Sequence, residues 1–532
     1  MSRLWILPAF VVLVLALVPG MRGSAQAPAG PSPAVTEALI AEKDAAAPED
    51  DNEDLVSADG RHAAWRTGRE SKWAVMLDGK RQGGEFGEVK SLEFSGDGQH
   101  LAFAARRDKS WLMVLDGKES AQAFEKISAP LFSRDGERLV HFGKRQGKWS
   151  VIVNGEPLGA AFDELEDAMF SPDGQRLAFV GRRGGKLIVT VDLKEGPPFD
   201  VIGGLSFSDD GRHVSYAGAD IKTGFGGDKG LGRAVIDGEP GPQFEGEKSS
   251  SMLQAMATGP TSLVSGNFGD LSVRLHGVSA PVFSADGSRV AYSTHQAKEK
   301  EVVVVDGQPG PPFVAIVSGP RFSHDGKRIA YAARRGKDDD VVVVDGQPGP
   351  RFASIVAGPR FCNEGRHVAY VASEAGGARF LIVDGERVGG ALLQGADFVS
   401  SLTFAPDGKR VGCIGIAGSF WAGSGPRSLG GGGKGVGRSA KRRVYVDGQP
   451  GPEYDTRDVS GPEFTPDSRH VIYVVHGLQE GSRKVSFVVT NRTEAKRYDA
   501  VWTRTLGLQD TGAVVYVAQS GRKFLRVTQS VQ

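Results

Sequence analysis

The side chains that could do chemistry are few, and their spacing disperses them. His62, His100, His213, His367 and His470 each stand one residue beyond a turn of the Asp-Gly kind. Imidazoles hold a metal when several converge on it, but these belong to separate segments and share their slot with Arg elsewhere. They are expected at the solvated start of a strand. Asp50-Asp51-Asn52-Glu53-Asp54 has the acidity of a calcium loop, yet Leu55 stands where such a loop needs Gly and Arg61 where it needs its closing Glu. Gly430 to Gly433 with Lys434 resembles a phosphate loop in composition only, because Ser428 and Gly435 occupy its first Gly and its Ser/Thr positions. Asp338-Asp339-Asp340 reads as a solvated turn. No His-Glu-x-x-His and no Gly-x-Ser-x-Gly occurs. Cys362 and Cys413 are the only cysteines, too few for a disulfide scaffold or a Cys-based zinc module, and whether they pair is open. No catalytic group, metal or cofactor is expected.

One charge pattern repeats. Basic residues recur where one class of strand ends: Arg106 and Arg107, Lys144 and Arg145, Arg182 and Arg183, with Arg66 and Arg69 in the same phase. A Gly-rich insertion, Gly418 to Arg443, adds Arg438, Lys441, Arg442 and Arg443. The whole chain is neutral, 64 Lys+Arg against 64 Asp+Glu, so clustering at one topological position predicts a local cationic rim. Its expected partner is a protein or an anionic cell-envelope component, such as a polysaccharide or a lipid headgroup. Glu70, Asp108, Glu164, Glu166 and Asp167 dilute that field. Nucleic acid is not expected, since no stacking aromatics interleave the basic pairs.

The elements that position these residues come from a repeat. An Asp-Gly turn or its equivalent recurs at Asp59, Asp97, Asp135, Asp173, Asp210, Asp286, Asp325, Glu364, Asp407 and Asp467, and Asp510-Thr511-Gly512 closes the series. Most spacings are 37 to 43 residues; the 76 between Asp210 and Asp286 is read as two periods, with a degenerate copy near Thr258-Gly259-Pro260. Self-similarity at this period means units that bury their faces on one another. Each unit reads as four short strands. In one copy these are Gly319 to Ser323 (A), Arg328 to Ala332 (B), Val341 to Val344 (C) and Phe352 to Val356 (D), with Asp325-Gly326 as a tight turn. Unbroken Val runs fit sheets covered on both faces. An aromatic recurs in strand D at Phe86, Phe124, Phe162, Phe199, Phe244, Phe313, Phe352, Tyr454 and Tyr498, and is expected to wedge between units. Gly, at 74 of 532 residues, suits so many turns. The fold class is all-β: tandem β-propellers of twelve four-stranded units.

The signature Phe-Ser-x-Asp-Gly-x-Arg-hydrophobic-Ala-aromatic, at Phe170 to Phe179 and Phe322 to Tyr331, resembles the WD-repeat-like blades of TolB-type propellers from Leu55 to Gln532. That resemblance implies six-bladed rings, without the α/β domain that precedes the TolB propeller. Units six and twelve both stop before a strand D, so two six-bladed rings are expected, 55–277 and 278–532, with Glu37 to Ala41 completing the first.

The start of the chain reads as an address. Arg3, the apolar run Leu4 to Val18, the break at Pro19-Gly20 and the small residues Ala25-Gln26-Ala27 form a signal-peptide pattern over 1–27. An acidic Pro/Ala-rich linker, 28–54, follows. The mature chain is expected in the periplasm or outside the cell, with no transmembrane segment, as a monomer. The function expected is a binding or scaffolding module, the alternative a hydrolase or lyase with its site in a propeller channel.

Overall fold

In the computed structural model, residues 34–44, 47, 54–69, 72–222, 229–246, 274–275, 277–296, 300–392, 396–417, 440–456, 458–508 and 512–531 are described. Among these residues, forty-eight strands pair antiparallel into eleven sheets. The sheets are the blades of a propeller, numbered 1 to 11 along the chain from the sheet that begins at Leu55–Val56.

The turns explain why each copy folds alike. In blade 2 the Ser95 hydroxyl donates to Asp97 and accepts the backbone N–H of His100, fixing the A–B turn. The C–D turn is Asp116-Gly117, both at positive φ (49° and 74°), the two-residue hairpin geometry that suits twisted strands. Asp116 then reaches back: Oδ1 accepts the Leu101 N–H at 3.0 Å and Oδ2 lies 2.8 Å from His100 Nδ1. Four of the five repeated histidines are therefore partnered by the turn aspartate of their own blade, as also at His62–Asp78, His213–Asp237 and His367–Asp384, and His470 by Asn491 at the same turn position. Where Arg fills that slot it also clasps the next blade. Arg328 pairs with Asp345, donates to the carbonyls of Gly365 and Arg366, and covers the Phe361 ring at 5.6 Å.

Blades are glued by the strand D aromatic. It packs edge-on against an aromatic in strand B of the next blade: Phe86 on Phe103, Phe162 on Phe179, Phe199 on Tyr216, Phe313 on Tyr331, Tyr498 on Tyr516, with centroids 5.7 to 6.4 Å apart. Phe86, Phe162 and Tyr498 are essentially inaccessible, so the wedge expected from sequence is present. Gly143, Gly181 and Gly218 make room for it: a Cβ there would sit 2.3 to 2.4 Å from the ring of Phe124, Phe162 or Phe199.

The twelve units and two six-bladed rings are not what forms. Blade 5 packs directly on blade 6. Ala217, Ala219 and Ala234 share a core with Val278, Tyr292 and Val302, and Phe244 meets Tyr292 at 6.5 Å. No blade fits between them. The degenerate copy expected near Thr258-Gly259-Pro260 lies outside the described residues, and Arg274–Leu275 pairs with Val278–Ser279. Nor do the truncated units close separate rings. Val35–Glu42 pairs with Lys523–Ser530 and becomes the outer strand of blade 11. That blade packs on blade 1 through Val56, Ala63, Trp65, Val517 and Phe524. The segment foreseen as a ring-closing strand does close a ring, but at the far end of the chain, and the eleven described blades make one circuit.

Candidate functional site

The B–C hairpins end on one face of the ring and carry the basic residues singled out from sequence. Those described in blades 2, 3, 4 and 9 are engaged. Arg106 pairs with Glu88 at 2.9 Å. Arg107 makes a two-pronged pair with Glu119 at 2.6 and 2.7 Å and lies over Phe86. Arg182 bridges Glu164 and Glu166, at 3.1 and 2.9 Å. Arg183 binds Glu195 at 2.9 Å and covers Phe162 at 4.3 Å. Arg145 donates to the Ala123 carbonyl and covers Phe124 at 4.6 Å. Lys144 faces Trp149 at 5.9 Å. In blade 9 Lys441 and Arg443 share Glu453, and Arg442 donates to the Thr456 carbonyl. Arg438 lies outside the described residues.

The rim is thus a lattice of alternating charge. Its acids come from strand A and strand D of the same blade. Part of this was readable: Arg107 and Arg183 each precede their partner by 12 residues, the length of strand C plus its turn.

Sequence reasoning missed the aromatics. Hairpin register places Trp111 opposite Arg106 and Trp149 opposite Lys144. Trp111 lies between Lys90, 4.0 Å from its centroid, and Arg106, 5.8 Å away, while Arg66 lies 5.2 Å from Trp73. Trp73, Trp111 and Trp149 are all half-buried at equivalent positions of blades 1, 2 and 3. Aromatics therefore do interleave the bases, contrary to expectation, because the strand pairing brings together residues separated along the chain. Blade 4 ends the row with Leu187, and blades 6 and 7 invert its charge. There the equivalents are Glu301 and Asp340, buried, facing His295 and Arg334 and accepting the backbone N–H of Ile316 and Ile355.

Elsewhere the chemistry is sparse. Glu93, in strand A of blade 2, has its pKa raised by burial, with Arg504 of blade 11 pulling the other way. Among the described residues no group of three His, Cys, Asp or Glu is placed to hold a metal ion. Cys362 and Cys413 are both buried and both free; Cys362 takes the place of the turn serine, its Sγ accepting the His367 N–H, and burial pushes the Cys413 thiol up to about 12. No helix among the described residues is long and apolar enough to cross a membrane.

No protein-family profile matches the chain, and no curated protein matches it in sequence. Solved structures do. A eukaryotic initiation factor is 11% identical with a TM-score of 0.32, over 76% of this chain and 88% of that one. The β-propeller domain of the Trilobed protease from Pyrococcus furiosus is 12% identical, TM-score 0.24, over 56% and 93%. A chain described as TolB from Agrobacterium tumefaciens is 15% identical, TM-score 0.25, over 49% and 84%. The propeller assignment itself rests on the strand topology.

Proposed function

We propose that this chain is an exported binding or scaffolding propeller whose B–C loop face, over blades 1 to 4, docks an anionic partner of the cell envelope. The observation that carries the reading is the row of Trp73, Trp111 and Trp149, each beside a cation and flanked by Arg106, Arg107, Arg182 and Arg183. Trp and Arg are the side chains that most often anchor interfaces. Their pairing with Glu does not disqualify the arginines. Exposed ion pairs contribute about 0–1 kcal/mol each, so a partner's anions can displace the rim carboxylates, while the pairs keep the guanidiniums oriented beforehand.

The test uses defined probes: polygalacturonate, neutral dextran, and vesicles with and without phosphatidylglycerol. Wild type is expected to bind one of the anionic probes, more weakly at high salt. Replacing Arg106, Arg107, Arg182 and Arg183 with Ser, or Trp111 with Ala, is expected to weaken binding by on the order of tenfold or more. Binding that ignores salt, or that survives both variants, would sink the proposal.

A further inference from the structure

On the opposite face, where the A–B and C–D turns lie, the junction of blades 9 and 10 departs from the repeat. Ten C–D turns join strands within one blade, and eight carry Gly at the second position. Blade 10 has Asn491-Arg492 there. Arg492 holds φ at 79°, a left-handed conformation that Gly takes freely and a long side chain resists. Most of these turns also begin with Asp; Asn491 removes that negative charge while Arg492 adds a positive one.

The side chains around this turn line a half-open cleft of about 250 Å³, where Arg410, Asp447, Gln449, Asn491 and Arg492 stand beside Tyr473 and the valines Val444, Val446 and Val471. Arg410 is held by Asp447 at 3.0 Å and by the Arg469 carbonyl at 2.8 Å. Asp447 is thus taken up by Arg410, and Arg492 and Glu494 both act on Tyr473, in opposite directions. The nearby Glu494 is engaged by Arg497 at 2.8 Å. Tyr473 is buried, and its hydroxyl lies 3.7 Å from where a Cβ on Gly451 would stand. Space beside these turns varies: a Cβ at Gly385 would meet Pro350 at 3.1 Å, whereas one at Gly307 or Gly346 would meet nothing within 4 Å.

We infer that the cavity between blades 9 and 10 binds a small oxyanion, a phosphate or short carboxylate group, with Arg492 as its principal contact. Guanidinium matches such groups in charge and in planar geometry. The volume admits a phosphate or a few-carbon acid, and the site lies on the face opposite the loop face.

Thermal unfolding and calorimetric titration of the full chain would test this, with inorganic phosphate, glycerol phosphate and succinate as probes against sodium chloride of equal ionic strength. Saturable binding of phosphate or succinate at one site per chain is expected, the stronger probe identifying the group. Arg492→Gly restores the repeat's own residue and relieves the left-handed backbone, so its Tm without anion should equal or exceed that of wild type. Its anion affinity should fall at least tenfold. Asn491→Asp should weaken binding in the same direction. No saturable response from any probe, or an Arg492→Gly variant that binds like wild type, overturns the inference.

Discussion

His141 sets up a pH dependence that can be worked from the structure. It occupies the strand B slot of blade 3 that holds Phe103 in blade 2 and Phe179 in blade 4. The ring is 3% exposed, packs edge-on to Phe124 at 5.4 Å, and its Nδ1 has no hydrogen-bond partner. Burial holds its pKa down at about 4, against 6.5 for a free imidazole. The unfolded chain therefore takes up a proton at this residue well before the folded one does. Stability is complete above about pH 7 and drains away as pH falls from 6.5 toward 4. Linkage gives a loss of about 2 kcal/mol at pH 5 and about 3 kcal/mol at pH 4 from this one side chain. Carboxylates titrate in the lower part of the same window, so the measurement is a difference. Urea unfolding of wild type and His141→Phe is followed at pH 7.5, 6, 5 and 4. The variant supplies the residue that neighbouring blades use, so it should match or exceed wild-type stability at pH 7.5, and its advantage should grow by about 2 kcal/mol by pH 5. Curves that fall in parallel would show that the imidazole is hydrated or protonated in the folded protein, and the reasoning from burial would be wrong.

Two further outcomes probe the ring. Phe162→Ala should destabilise by about 3–5 kcal/mol as a buried wedge is lost, while Gly181→Ala should destabilise by about 1–3 kcal/mol because its new methyl meets the same ring; combining them should cost clearly less than the sum, and strict additivity in urea unfolding would deny that the two touch. A chain lacking residues 28–46 should expose the outer edge of blade 11, unfold at lower temperature and gain protease sites near Phe524. A synthetic peptide of residues 34–44 should restore it, and a truncated chain as stable as the full one would contradict closure by Val35–Glu42. Within that strand Glu37 is the fixed point: Lys496, foremost, and the Tyr498 hydroxyl hold its carboxyl below the usual range, at 2.8 and 2.6 Å.

What could be read ahead of the structure was whatever is local to one unit. The Ser-x-Asp-Gly turn, the four strands and the strand D aromatic all follow from residues within about forty positions of one another, and the copies that keep the turn serine repeat the same hydrogen bonds. How many blades there are, and how the ring shuts, depend on contacts between distant segments. A spacing of 76 residues is arithmetically two periods, but only the packing of Phe244 on Tyr292 decides that it holds one blade. Two truncated units look alike in sequence; blade 11 is completed by a strand some 490 residues earlier in the chain, a partnership no periodicity reveals. The same distinction governs the loop face. Basic pairs stand out because they are adjacent in sequence, whereas the acids that balance them lie 18 residues before the first base (Glu88, Glu164) or 12 after the second (Glu119, Glu195), on strands that only the sheet pairing brings alongside. In the cavity between blades 9 and 10 the informative residue is the one that breaks the pattern. A repeat protein pins most positions by packing and turn geometry, so a position where Gly gives way to Arg at positive φ, beside an open space, is not explained by folding. Leu193, the other residue that replaces Gly in a C–D turn, marks the contrast: it too is left-handed, but it lies against Gly159 of the neighbouring blade and brings no charge with it.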